Sequence, residues 1–265
     1  MQIAFTGALW PWSPALLALA VVIALGAGVV RGFSGFGFSA LVVAGLTPFV
    51  PPGPVVAGTL VLEAIASASL IRTVTGDVDR LWLKPLLIGN AVFVPIGLAA
   101  LSWVPVEQLR LIVAGGLLCG AAALRLVDGH HFRKSATLSG VTGAASGFLN
   151  GFAASGGVIA AMLMIATHLP SNKVRATMIS FLLYVSLYAL LWSFALTVMP
   201  GSKPSRLLGP DTLRWIMLLW PTMFVGMRFG ARAFGTTPSD GQKRLVLNLL
   251  IVVSALGLFT AIAAR

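Results

Sequence analysis

The chain has 265 residues, 58% hydrophobic and only 9% charged, with a net charge of +11. Soluble domains carry about 25% charged residues, so a water-soluble fold is excluded and the chain reads as an all-α polytopic membrane protein. The basic balance does not mark a nucleic-acid binder, because the Lys and Arg residues sit in short loops between apolar runs.

The N-terminus lacks a basic leader region and carries Trp10 and Trp12, which read as interface anchors rather than part of a cleaved signal peptide. Apolar segments then follow at about 14–31, 35–48, 54–72, 84–103, 107–127, 136–150, 156–168, 174–198, 212–230 and 243–263. Pro11, Pro14, Pro51, Pro52, Pro54, Pro105, Pro170, Pro200 and Pro210 fall at segment edges, where proline is tolerated. The loop 128–134 divides the chain into halves 1–128 and 135–265, within one membrane domain. Cys119, the single cysteine, lies in an apolar run, so no intramolecular disulfide forms.

The halves are related. An offset of 119 sets Gly32 on Gly151, and with it Gly28 on Gly147, Phe33 on Phe152, Gly37 on Gly156, Pro51 on Pro170, Val55 on Val174 and Ala57 on Ala176. Each copy is an apolar run broken by glycines. Inside hydrocarbon a broken helix survives only where protein or a wet cavity surrounds it. A Gly-interrupted segment in both halves points to a transporter's binding site. Small-residue helix packing is the plainer account of the same glycines.

The segments starting at Gly37 and Gly156 are too short to cross. Eleven steps at about 1.5 Å give roughly 16 Å, half of a ~30 Å core. Each half therefore reads as a re-entrant helical hairpin followed by three transmembrane helices.

Charge sets the orientation. Arg72, Arg80, Lys84, Arg125, Arg133, Lys134, Lys173, Arg175, Arg228, Arg232, Lys243 and Arg244 collect on one side; Arg110, Lys203, Arg206, Arg214 and Arg265 on the other. The richer side is expected in the cytoplasm. Both termini are then periplasmic in a bacterial inner membrane, and three crossings per half invert the second repeat relative to the first.

Arg31 is embedded at membrane depth, where a charge costs about 2.5–3.5 kcal/mol and is either functional or paired. It reads as the cationic ligand of an anion, as the ion-pair partner of Glu63 or as a snorkelling side chain; Glu63 in turn is such a partner or a proton-coupling group. The repeat mate of Arg31 is Asn150, a neutral donor. The half-helix starts near Gly37 and Gly156–Gly157 offer free N–H groups and a partial positive charge, with neither facing an evident carboxylate. Ser34, Ser39 and Ser155 add hydroxyls, though each serine alone is more often a helix cap or packing residue. Gly32, Gly35 and Gly151 complete the candidate substrate-binding set, and a side chain at Gly37 or Gly156 is expected to block a ligand there. Asn90, Tyr184 and Tyr188 read as interhelical hydrogen-bonding groups. His168 reads as interfacial. His130 and His131 have no zinc-ligand spacing, so no metal or cofactor is expected.

At Gly147-Phe148-Leu149-Asn150-Gly151, Ser155-Gly156-Gly157, Leu169-Pro170 and Arg175-Ala176-Thr177, the sequence resembles the TauE/SafE family of sulfite exporters and anion permeases. The first half matches at Gly32-Phe33-Ser34-Gly35-Phe36-Gly37, Pro51-Pro52 and Val56-Ala57-Gly58-Thr59. It departs at 37–39, where the family's Gly-Gly-Gly run is Gly-Phe-Ser, and the second copy keeps two glycines. The resemblance implies transport of small sulfur-containing anions such as sulfite or organosulfonates, with the lipid bilayer and the anion as partners and a homodimer compatible.

Two other readings compete. A passive anion channel shares the same sequence features. Gly32-Phe33-Ser34-Gly35 also matches the Gly-x-Ser-Gly of intramembrane serine proteases, but a nucleophilic Ser34 needs a histidine base, and His168 falls on the opposite leaflet of this topology.

Overall fold

The computed structural model describes residues 11–103, 108, 135–167, 169–198, 209–236 and 248. The segments expected at 107–127 and 243–263, the dividing loop, Cys119 and all three histidines lie outside these. The described residues form eight α-helices and one 3-10 turn and contain no strand: α1 Pro14–Ser34, α2 Phe38–Leu46, α3 Pro52–Val74, the turn Thr75–Asp77, α4 Arg80–Trp103, α5 Ala136–Ala153, α6 Gly156–Ala166, α7 Ser171–Val198 and α8 Pro210–Thr236.

Local chemistry sets the ends. Ser13 caps α1, its Oγ accepting from Leu16 N at 3.3 Å, with Pro14 at the first helical position. Ser135 caps α5 in the same way through Leu138 N at 3.1 Å. Asp79 Oδ1 accepts from Leu81 N at 3.1 Å and starts α4 four residues before the expected boundary. Helix α1 runs past residue 31 to Ser34, where Gly35 turns left-handed at φ 82°. Its repeat mate Ala154 ends α5 at φ 50°.

The short helices are as expected. Helix α2 has 9 residues and α6 has 11, about 13 and 16 Å, or half a bilayer core. Four helices are long and apolar enough to cross a membrane: Pro14–Ser34, Pro52–Asp77, Arg80–Ala100 and Ser171–Ala195. Helix α8 covers the expected 212–230 in 27 residues, but is not among the four.

Helix α1 packs along α8, α5 along α4, and α3 along α7. Glycine makes the first two pairings close. A Cβ at Gly28 would lie 2.6 Å from Met223 O, and one at its repeat mate Gly147 would lie 2.6 Å from Asn90 O. One turn on, a Cβ at Gly32 would meet Met227 O at 2.2 Å and one at Gly151 would meet Val94 O at 2.3 Å. In return, a Cβ at Gly230 would lie 2.0 Å from Val29 O and one at Gly97 would lie 2.1 Å from Phe148 O, where Val29 and Phe148 are themselves repeat mates. The register of α1 against α8 is thus the same as that of α5 against α4. Backbones this near are the small-xxx-small contact of membrane helices.

Cross-contacts also show which ends meet. Asn172 Nδ2 donates to Asp77 Oδ1 at 3.1 Å and Asp79 N to Thr177 Oγ1 at 2.9 Å, joining the start of α7 to the α3–α4 connection. Ser139 Oγ donates to Trp82 O at 2.9 Å, bringing the start of α5 to the start of α4. Arg175 on α7 lies over the Phe234 ring near the end of α8, 4.8 Å from its centroid. At the other end Trp12 stacks on Trp215 with centroids 4.2 Å apart, joining the starts of α1 and α8.

The core is an alanine-rich apolar cluster with Trp82, Trp215, Phe38 and Phe181 fully buried. The outer surface is apolar too: Val22, Leu81, Ile88, Val92, Leu187, Leu191, Phe194 and Leu213 are exposed. An apolar surface of this extent is suited to lipid, not water. Tyr184 belongs to this outer face, at variance with an embedded hydrogen-bonding role; it stacks on Tyr188.

Candidate functional site

The two breaks are built alike and filled differently. In the first, α1 ends at Ser34 and α2 starts after Gly37, itself left-handed at φ 94°. Ser34 Oγ lies 2.8 Å from Val30 O and 3.0 Å from Phe36 O, and accepts from Phe36 N at 3.4 Å. Its single proton therefore serves a backbone carbonyl, which gives Ser34 the role of a turn cap.

Helix α3 passes behind this turn and places Glu63 against it. Ser39 N and Ser39 Oγ both donate to Glu63 Oε1, at 3.1 and 3.2 Å. The second oxygen, Oε2, forms an ion pair with Arg31 Nε at 3.1 Å, bent away from hydrogen-bond geometry. Arg31 Nη2 donates to Ser67 Oγ. Arg31, Glu63, Ser39 and Ser67 are all buried. The expectation that neither half-helix start has a carboxylate partner is overturned for α2: Glu63 occupies the anion position that the helix terminus creates. Of the roles open to Glu63, the ion pair with Arg31 is the one formed. Glu63 is also eleven residues from either end of α3, so the α2 start lies level with that helix's middle.

The second break has the same frame with other side chains. Asn150 stands where Arg31 does, buried, its Cβ 2.8 Å from where a Cβ at Gly156 would be. The offset of 119 brings Leu182 to the position of Glu63, Ser186 to that of Ser67 and Val158 to that of Ser39. Leu182 lies over the start of α6, its Cδ2 2.8 Å from where a Cβ at Gly157 would be. Ser155 is buried and its carbonyl accepts from Val158 N at 3.2 Å. Ser146 Oγ donates to Gly156 O at 2.7 Å and ties α6 back to α5.

Several buried polar atoms near these breaks have no hydrogen-bond partner: Arg31 Nη1, Asn150 Nδ2, Ser186 Oγ and both amide atoms of Asn90. Each such group costs about 1–3 kcal/mol unless something meets it. Asn90 therefore departs from the expected interhelical hydrogen bond, whereas Tyr188 makes one, its hydroxyl donating to Ala91 O at 3.0 Å.

The glycines divide by role. Gly32 and Gly151 face the backbones of α8 and α4, so close helix packing accounts for them. Gly35 and Gly37 serve left-handed turns. At Gly156 a Cβ would lie 2.0 Å from Ser146 O within its own hairpin. The expectation that side chains at Gly37 and Gly156 would mainly exclude a ligand is thereby corrected: the first would strain the backbone and the second would break the hairpin.

Sequence reasoning counted Arg175 among the charges that set the orientation and quoted it in the family motif, but gave it no place in the site. It lies in the first turns of α7, half-buried, and its Nη2 donates to Gly32 O at 3.2 Å. It thereby satisfies one of the free carbonyls at the α1 end, where a cation is favoured. Its repeat mate is Val56, so the duplication gave no signal.

No group of three or more His, Cys, Asp or Glu side chains that could hold a metal occurs among the described residues. No curated protein and no solved structure shows significant similarity to the chain. A family model does match, that of the sulfite exporter TauE/SafE, over residues 20–257. That match spans nearly the whole chain, and it makes this multi-pass membrane protein a member of the TauE/SafE family of sulfite exporters, which are transporters and not enzymes.

Proposed function

We propose that the protein carries small sulfur-containing anions, such as sulfite or short organosulfonates, across a bacterial inner membrane, binding them near the midplane at the two helix breaks. One observation carries this reading. The repeat mates Arg31 and Asn150 each keep a buried nitrogen without a partner, Nη1 and Nδ2, beside a half-helix start. An oxyanion supplies acceptors that both lack, and the partial positive charge at the start of α6 favours it. The shared packing register and the grouping of helix ends support an inverted repeat, the architecture in which broken helices serve a central site.

The test is a panel of sulfite, methanesulfonate, sulfate and acetate in proteoliposomes containing the purified protein. Saturable uptake of sulfite or methanesulfonate, absent from empty liposomes, is expected. Uptake of acetate alone, or of none of the four, contradicts the reading.

A further inference from the structure

Arg31 and Arg175 come from different helices to one turn of α1. Arg31 belongs to that turn, and its carbonyl accepts from Gly35 N at 2.9 Å. Arg175 reaches the same turn from α7. Its Nη2 donates to Gly32 O at 3.2 Å, and its Cγ lies 3.0 Å from where a Cβ at Gly35 would be. The two side chains are near enough for their charges to repel. The carboxylate at this break, Glu63, pairs with Arg31. Among the described residues Arg175 forms no ion pair, and its guanidinium lies over the Phe234 ring. The other described cations at this end of the molecule, Arg72, Arg80, Lys84, Lys173, Arg228 and Arg232, are exposed, whereas Arg175 is half-buried. Arg31 Nη1 and Arg175 Nε are buried without a hydrogen-bond partner. The first break thus sets two positive charges against one negative. A surplus charge withdrawn from water is costly unless an opposite charge meets it.

We propose that Arg175 is a specificity-determining residue for the transported anion, supplying with Arg31 the positive charge that holds it at the first break. This rests on the anion-transport reading and adds the residue that selects for charge. Glu63 neutralises one guanidinium of the two, so one negative charge on the substrate balances the cluster. Arg31 is fully buried and Arg175 half-buried, so an anion arriving from solution meets Arg175 first. The groups that position Arg175, a carbonyl and a ring, are neutral and leave its charge to act on the ligand.

The experiment measures KM in proteoliposomes for sulfite, or for methanesulfonate if that is the anion the wild type carries. Arg175→Gln keeps a donor for Gly32 O and removes the charge; it should raise KM about tenfold or more. Arg175→Lys should stay within about threefold of wild type, because charge is required and not the guanidinium fork. Phe234→Glu leaves Arg175 in place and gives it a carboxylate; it should also raise KM about tenfold or more, while Phe234→Leu stays within about threefold. Melting curves without anion detect a merely structural role: Arg175→Gln should melt close to wild type. If Arg175→Gln cannot be purified, the two Phe234 variants decide. Wild-type KM in Arg175→Gln, or equal KM in Phe234→Glu and Phe234→Leu, overturns the inference. A wild type that carries a sulfur anion beside variants that carry it equally well removes the role of Arg175 alone, whereas a wild type that carries none removes the functional reading as well.

Discussion

At the scale of single residues, Arg31 is held by a carboxylate rather than left as a bare cation. Removing one partner of a buried pair strands the other's charge and costs about 3–5 kcal/mol, whereas replacing both by apolar groups is often neutral. Arg31→Ala is therefore expected to lower the melting temperature steeply or prevent purification, and Arg31→Met combined with Glu63→Leu should recover most of the loss. Melting curves in detergent check this. If Arg31→Ala melts with wild type, the pair has no structural weight. Arg31 and Glu63 were both legible in the sequence as embedded charges. Their pairing was legible only as one of two options, because the choice depends on α3 passing behind the first turn, where Glu63 also meets Ser39, 24 residues away, a contact that no local pattern encodes.

At the scale of elements, the breaks and the half-helices were readable because glycine and proline punctuate both copies at one offset. The division of labour among the glycines was not. Close helix packing, left-handed turns and ligand approach all select the same residue. The neighbouring backbone separates them, and it yields a graded prediction. Gly26 has nothing within 4 Å of an added Cβ, whereas Gly230 has Val29 O at 2.0 Å. Gly26→Ala should be neutral or stabilising by up to about 1 kcal/mol, the helix-propensity difference. Gly230→Ala must push α1 and α8 apart and should lower the melting temperature by several degrees or more. Equal melting of the two variants would mean that the α1–α8 contact is looser than the structure has it. Arg175 escaped the sequence for another reason: a charge one turn inside a helix start looks like a loop charge until the opposite hairpin's end is seen beside it.

At the scale of the whole molecule, the charge split and the helix ends support one orientation. Arg72 on α3, Arg80 and Lys84 on α4, Lys173 and Arg175 on α7, and Arg228 and Arg232 on α8 fall toward the end where the α3–α4 connection meets α7. Under the positive-inside rule that end is expected in the cytoplasm. A fluorescent reporter that matures only in the cytoplasm should stay dark when fused to the C-terminus, and bright fluorescence there would break the inverted-repeat count. A carrier and a channel differ in whether the substrate must be bound for the protein to turn over. Counterflow in proteoliposomes preloaded with unlabelled sulfite measures that difference most directly. External radiolabelled sulfite should accumulate transiently above its equilibrium level as it exchanges for the internal pool. Monotonic equilibration with no overshoot, together with single-channel currents in planar bilayers, would contradict a carrier and leave a passive anion pore.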